Sequence, residues 1–244
     1  MKMASSLLSS LLLLAAMMPA ALAQAPLNNP PAAQQQHPEI DPLFLIKSKP
    51  AYELLKKPNP PLVIDVRSRA EFNAEHIQGA ISYPWSTIKV GGEYPFSKDR
   101  QLLLYCGCPH HLSGMSAEVL RQKGYTKVNV IDEGYWGWKA FGFPVYVNPN
   151  APKQTSMSFD GQLVAGLQGA AYRDVFLLHP ETGQLEAVRT DANGNFTMHL
   201  HFGGVSPQDT VLFQVADQTI KETTLAELNQ KVHLELPEQL ALAH

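Results

Sequence analysis

Two cysteines and two histidines stand together in the segment Cys-Gly-Cys-Pro-His-His, which runs from Cys106 to His111. An apolar run over 102–105 precedes this segment and predicts a buried strand, and a helix is expected over about 114–123. A thiol between a strand end and a helix N-terminus faces backbone N–H groups and a helix dipole that favour an anion. We therefore expect a lowered pKa for Cys106 and the chemistry of a nucleophilic thiol.

The second thiol widens the possible chemistry of this loop. Cys108 can attack an oxidised or sulfur-bearing neighbour and close a disulfide with Cys106. The same Cys-x-Cys-x-His-His segment offers ligands suited to Cu(I) or Zn, although one loop seldom supplies a complete tetrahedral set. The chain's two cysteines lie too close together for a long-range structural bridge, so both redox chemistry and metal handling stay open.

Strands and helices alternate around the thiol segment. Short apolar runs predict buried strands, and the segments between them predict helices. The predicted strands are 62–66, 79–83, 102–105 and 128–131, and the predicted helices lie within 40–57 and at 68–75, 114–123 and 135–141. Such alternation predicts an α/β domain with a parallel sheet, in which ligands bind beyond the carboxyl ends of the strands. Asp65 and Cys106 both fall at such ends.

The second half of the chain has a different period. Residues 147–156 read as a linker by composition, and the strands predicted beyond them alternate apolar and polar residues. These strands are 173–179, 184–190, 195–202, 210–215 and 232–236, with turns that contain Gly183 and Gly194. We expect a small antiparallel β-sandwich over 157–244.

The N-terminus has the features of an export signal. A basic Lys2, an apolar centre and an Ala-x-Ala ending at Ala23 predict a cleaved signal peptide over 1–23, followed by a Pro- and Gln-rich flexible leader over 24–38. We therefore expect a secreted or periplasmic protein with no membrane span after cleavage. A net charge of −3 without a basic run argues against nucleic-acid binding.

The order of motifs over residues 39–146 resembles the rhodanese-like (sulfurtransferase) family, whose fold is a parallel sheet flanked by helices. The motifs are Asp65-Val66-Arg67, Glu71-Phe72, His76-Ile77 with Gly79-Ala80-Ile81 and Pro84, Tyr105-Cys106, Gly124-Tyr125, and Trp138 with Gly142 and Pro144-Val145. This resemblance implies a sulfurtransferase that takes sulfane sulfur onto Cys106 as a persulfide. It would pass the sulfur to a thiophilic acceptor or a partner-protein thiol, without a cofactor.

The resemblance also assigns roles around the nucleophile. A substrate- and anion-binding loop would comprise Gly107, Pro109, His110, His111, Leu112 and Ser113. Asp65 and Arg67 would form a buried ion pair that supports the strand end, and His76 would tie loops together.

The loop departs from the family pattern, because it lacks the usual arginine and carries Cys108 instead. Thiosulfate as the donor is therefore in doubt, and Cys108 is an alternative carrier or a resolving thiol. His110 and His111 are either solvated loop residues or a replacement for the missing positive charge. A non-catalytic rhodanese-like binding module and a copper-handling protein are the alternative functions.

The C-terminal part shows a loose similarity to transthyretin-like and carboxypeptidase-regulatory β-sandwich modules. Strands with an Asp-x-x-Gly turn before Asn195 are its basis. Because this part shows no nucleophile or ligand cluster, we expect it to have a binding or packing role.

Overall fold

The computed structural model describes residues 44–107 and 109–241, which lie in one compact unit spanning residues 37–244. The predicted signal peptide, the predicted leader and Cys108 lie outside the described residues. None of the helices described is both long enough and apolar enough to cross a membrane.

The first half of the chain alternates short strands and helices, as predicted. Its elements are β1 Leu45–Ile46, α1 Ser48–Leu55, β2 Leu62–Asp65, α2 Arg69–Ala74, β3 Glu75–Ile77, β4 Ile81–Ser82, α3 Trp85–Val90, β5 Leu102–Tyr105, α4 His111–Gln122, β6 Val128–Ile131, α5 Gly134–Ala140 and β7 Val145–Val147. A parallel sheet runs in the order β1-β6-β5-β2-β4, and β3 pairs antiparallel with β7. The predicted α/β class with a parallel sheet is confirmed.

Strand β5 is buried on both faces because it lies in the middle of the sheet. Leu102 and Leu104 pack in one apolar cluster, whereas Leu103 and Tyr105 pack in the cluster on the other face. This two-sided burial explains why the strand reads as a continuous apolar run rather than an alternating one. The chain leaves the sheet directly at Cys106, so β5 fixes the position of the thiol.

Helix α4 begins at His111, three residues before the predicted start at Gly114. Leu112 is buried in the same apolar cluster as Cys106, and this packing holds the first turn in helical form. Helix α1 also has a tertiary contact at its start: Glu133 Oε2 accepts hydrogen bonds from the backbone N–H and the hydroxyl of Ser48, at 2.8 and 2.9 Å. This long-range contact satisfies an N–H group that a helix leaves without an intrahelical partner.

The second half of the chain forms two sheets of mostly antiparallel strands. Its strands are β8 Gln154–Ala165, β9 Gln168–Gly169, β10 Asp174–His179, β11 Gln184–Arg189, β12 Asn195–Gly203, β13 Thr210–Val215, β14 Gln218–Thr224 and β15 Val232–Glu235, with a short helix α6 at Glu238–Ala241. One sheet has the order β11-β10-β13-β14; the other has the order β12-β8-β15, with β9 beside β8. One apolar core draws residues from both sheets, so the two sheets form a sandwich.

The sandwich packs directly against the α/β part. Phe176 on β10 and Ala187 on β11 belong to the same buried cluster as Trp85 and Leu112. Lys89 of α3 also forms an ion pair with Asp217 in the turn between β13 and β14. The second domain therefore covers the side of the α/β part from which α4 and its preceding loop emerge.

Candidate active site

Cys106 stands at the carboxyl end of the central strand and is 1% exposed. Its sulfur accepts a hydrogen bond from the Ser113 hydroxyl at 3.3 Å. The backbone N–H groups of Leu112 and Ser113 also donate hydrogen bonds to it. The first turn of α4 thus supplies the donor cradle expected at a helix N-terminus.

The electrostatics of this thiol differ from the expectation. Burial raises the pKa of Cys106 to about 11, and the negative charge of Glu186 adds to the rise. The hydrogen bonds from Ser113 and Leu112 oppose this rise without overcoming it. The expected lowering of the pKa is therefore wrong for this arrangement, because removal from water disfavours the thiolate more than the helix N-terminus favours it.

The two loop histidines each face an aspartate. His110 Nδ1 lies 2.7 Å from Asp132 Oδ1, and His111 Nε2 lies 3.2 Å from Asp174 Oδ1. The interpretation of His111 as a solvated loop side chain is wrong, since the residue is 5% exposed and contacts the second domain. His110 is half-buried and adopts a left-handed backbone conformation, with φ 34°, directly before α4.

The other loop residues differ in exposure. Gly107 is buried next to Cys106, whereas Pro109 is exposed. Ser113 is fully buried and points its hydroxyl at the sulfur. Cys108 is outside the part of the chain that the structure describes, so its role stays a prediction.

Asp65 and Arg67 form a buried ion pair below the loop. Arg67 Nη2 and Nε donate to the two Asp65 oxygens at 2.6 and 3.0 Å. The Tyr105 hydroxyl donates to the same carboxylate at 2.6 Å and accepts the backbone N–H of Ile77 at 3.1 Å. This network joins the ends of β2, β3 and β5 and supports the strand end on which Cys106 stands.

His76 lies in strand β3 beside this network. Its Nδ1 is 2.7 Å from the carbonyl oxygen of Phe72, and its ring stacks on the Phe72 ring at 3.9 Å. The Tyr146 ring of β7 lies 4.8 Å away, on centroids. His76 thus connects α2 with the strand that leads out of the α/β part.

Sequence reasoning missed two groups that face the loop, Glu186 on β11 of the second domain and Trp136 on α5. Glu186 Oε1 and Trp136 Nε1 each lie 3.5 Å from the position that a Cβ atom would occupy on Gly107. The Trp136 ring stacks on His201 of β12 at 4.2 Å, so His201 is not a solvated strand residue. The one sequence signal for the Glu186 contact is that this glutamate stands in an otherwise apolar strand segment, Leu185 to Val188. A sequence alone does not show which group the glutamate faces.

A cavity of about 240 Å³ adjoins the first turns of α4. His111 and Gly114 line it from the helix, and Asp174 and Arg189 line it from the sandwich. Arg189 holds Asp174 through two hydrogen bonds, at 2.8 and 3.1 Å. Within the described ranges, no group of three or more Cys, His, Asp or Glu side chains is placed to hold a metal ion.

Comparison with known proteins agrees with the geometry. Residues 48–141 match the family model of the Rhodanese-like domain. The uncharacterized protein slr1261 of Synechocystis is 30% identical over 112 residues, which cover 46% of this chain and 60% of that protein. Thiosulfate sulfurtransferase PspE of Escherichia coli is 36% identical over 67 residues, which cover 27% of this chain and 62% of PspE. The chain thus spans about 60% of the length of these relatives.

Solved structures show the same likeness. The rhodanese-like domain of the Anabaena protein Alr3790 is 23% identical with a TM-score of 0.41, over 45% of this chain and 85% of that domain. The human single-domain sulfurtransferase TSTD1 is 23% identical with a TM-score of 0.36, over 40% of this chain and 96% of that one. Residues 48–141 form a rhodanese-like domain, as the motifs indicate. One of the relatives is named a thiosulfate sulfurtransferase.

Proposed function

We propose that the protein is an exported rhodanese-like sulfurtransferase in which Cys106 carries sulfane sulfur as a persulfide. The observation that supports it best is the position of Cys106: the carboxyl end of the central strand, with the donors of Leu112 and Ser113 around its sulfur. A persulfide anion formed there extends into a cradle of N–H and O–H donors that stabilises negative charge.

The proposed reaction has two displacement steps. The Cys106 thiolate attacks the terminal sulfur of a hydropersulfide donor R–S–SH; the donor S–S bond breaks, RS⁻ leaves, and Cys106 holds the persulfide as Cys106–S–SH. A thiophilic acceptor then attacks the outer sulfur, takes it, and regenerates the Cys106 thiolate. Because the thiol is buried and protonated in this structure, the first step begins with loss of its proton.

Cys108 adds a redox branch to the proposal. Its thiolate attacks the inner sulfur of the Cys106 persulfide, hydrosulfide leaves, and a Cys106–Cys108 disulfide forms. Two equivalents of an external thiol reduce that disulfide and restore both cysteines. This branch is supported by the sequence, in which a single residue, Gly107, separates the two cysteines.

Export is part of the same proposal. The basic start, the apolar centre and the Ala-x-Ala ending of residues 1–23 support it. Expression of the full chain in a Gram-negative host, followed by N-terminal sequencing of the periplasmic fraction, is expected to give a mature protein that begins at Gln24. Retention of the first 23 residues on a cytosolic product would contradict export.

Intact mass measurement tests the persulfide. The reduced protein and its Cys106→Ser and Cys108→Ser variants are incubated separately with polysulfide and with thiosulfate, then desalted and weighed. The proposal predicts addition of one sulfur atom to Cys108→Ser and none to Cys106→Ser, whereas the wild type carries either the added sulfur or, after the redox branch, a disulfide and two hydrogen atoms fewer. Addition to Cys106→Ser and none to Cys108→Ser would make Cys108 the carrier, and no addition to either variant would refute sulfur transfer.

A non-catalytic binding module is the second candidate, and the raised pKa of the buried Cys106 favours it. A module that only binds has no use for a thiolate, so a buried neutral thiol would serve it as a small apolar side chain. The mass measurement separates the two functions, since a binding module accepts sulfur from no donor.

A further inference from the structure

Glu186 occupies an unusual position in the sandwich. It pairs in register with Leu177 on β10, and Leu177 is fully buried in the sandwich core. Val188, two residues along on the same face of β11, also belongs to that core. A carboxylate at such a position is costly unless it serves a specific contact, so packing of the sandwich alone does not account for it.

The contact that Glu186 makes lies in the other domain. Its side chain is buried, with the residue 3% exposed, and Oε1 comes within 3.5 Å of the Cβ position at Gly107, the residue after the nucleophile. Its negative charge acts on the Cys106 sulfur. The carboxylate therefore belongs to the surroundings of the thiol, although it is carried by the second domain.

Two further contacts hold β10 and β11 in this place. Asp174 on β10 contacts His111 in the first turn of α4. Phe176 and Ala187, which pair across β10 and β11, pack into the cluster that contains Cys106. The position of Glu186 at the loop is thus supported by a polar contact and by apolar packing.

We propose that Glu186 is a specificity-determining residue that disfavours anionic sulfur donors at Cys106. This inference rests on the proposed sulfur transfer. Residues 106–114 contain no Arg or Lys, and the nearby Arg67, whose Cδ lies 3.6 Å from the same Cβ position on Gly107, is already paired with Asp65. A buried carboxylate repels a dianion such as thiosulfate, whereas a protonated hydropersulfide R–S–SH brings no charge to it. Attack of the Cys106 thiolate on the outer sulfur of R–S–SH breaks the S–S bond, releases RS⁻ and leaves Cys106–S–SH.

Two alkylating reagents of similar size test the charge effect without any sulfur transfer. Iodoacetate is anionic and iodoacetamide is neutral, and each transfers its carbon to the sulfur with loss of iodide. All proteins carry Cys108→Ser, which leaves Cys106 as the one thiol of the chain. The measured quantity is the ratio of the two rate constants, iodoacetate over iodoacetamide, at one pH and low salt.

Glu186→Gln is expected to raise this ratio by roughly three- to tenfold, because it removes one nearby negative charge and keeps the shape of the side chain. Glu222→Gln is the matched control: it makes the same change at an exposed position on β14, at the far edge of the same sheet, and is expected to leave the ratio unchanged. The Cys108→Ser protein, the parent of these variants, supplies a measurement that needs no change at Glu186. Its ratio is expected to be lower when folded than after unfolding in urea, which adds no salt.

An unchanged ratio in Glu186→Gln, or equal ratios for the folded and unfolded parent, would overturn the inference. Failure of both reagents to modify Cys106 would also overturn it, because a site closed to both cannot select by charge. If the ratio shifts as expected while no donor loads sulfur onto Cys106, the proposed function fails and the charge effect of Glu186 stands. If sulfur loads but the ratio does not shift, sulfur transfer stands and the role of Glu186 fails.

Discussion

A change of pH provides a sharp test of the environment of Cys106. With the pKa raised to about 11, the thiolate fraction at pH 7.5 is about 0.03%, against about 9% for an ordinary thiol with a pKa of ~8.5. Between pH 7.5 and 9.5 the fraction rises about a hundredfold for the buried thiol, but only about tenfold for the ordinary one. The sign follows from burial, which favours the neutral form and delays ionisation to higher pH.

The rate of alkylation by iodoacetamide measures the thiolate fraction directly, since the reagent is neutral and the thiolate is the reacting species. In the Cys108→Ser protein, the rate constant at Cys106 is expected to rise about tenfold per pH unit up to at least pH 10. The same protein unfolded in guanidinium chloride is the control and is expected to level off above pH 9. A plateau near pH 9 in the folded protein would refute the argument that burial controls the thiol.

Three substitutions test the contacts around the loop. Ser113→Ala removes the hydroxyl that donates to the Cys106 sulfur and is expected to slow alkylation at pH 9 by roughly three- to tenfold. Ser116→Ala is the control: it removes a hydroxyl that donates to a backbone carbonyl, and is expected to change the alkylation rate little. Asp65→Asn removes the nearer of two carboxylates that face the buried Arg67, leaving Glu71 Oε1 at 3.8 Å from Nη1. It is expected to lower the free energy of unfolding by about 3–5 kcal/mol, measured by urea denaturation, and a loss below about 1 kcal/mol would contradict this support role. Asp174→Asn weakens the docking of the sandwich and is expected to increase deuterium exchange in the first turn of α4; unchanged exchange would mean that apolar packing alone holds the interface.

The sequence predicts the parts of the fold that depend on local pattern. The apolar run at 102–105 identifies β5, and the turn after it identifies the place of Cys106. By contrast, β1 has only two residues in the sheet, too few to produce a period, and β4 occupies only two of the five residues predicted as a strand over 79–83. The strand β8, Gln154–Ala165, was not predicted, and its first three residues fall in the segment 147–156, whose Pro and Asn content favours a linker. Elements of this kind owe their form to pairing with distant strands.

The candidate site likewise has features that follow from neighbouring residues and features that depend on distant ones. The strand end and the helix N-terminus follow from neighbouring residues, and so does the donor cradle around Cys106. The direction of the pKa shift of Cys106 does not, because burial of the thiol sets it and the charge of Glu186, which lies 80 positions further along the chain, adds to it. His111 likewise reads as a solvated loop residue until Asp174 is seen to face it. The local sequence therefore does not show which residues the two domains bring together.

Sulfur hand-over in a single turnover tests the central claim most directly. The reduced protein is loaded with polysulfide, desalted and mixed with cyanide, and the thiocyanate formed is counted per protein molecule. Cys108→Ser is expected to yield about one thiocyanate and Cys106→Ser none, because the persulfide forms on a single thiolate, and the wild type is expected to yield less than Cys108→Ser to the extent that its disulfide forms. Equal yields from Cys106→Ser and Cys108→Ser, or no thiocyanate from any of the three, would contradict the account.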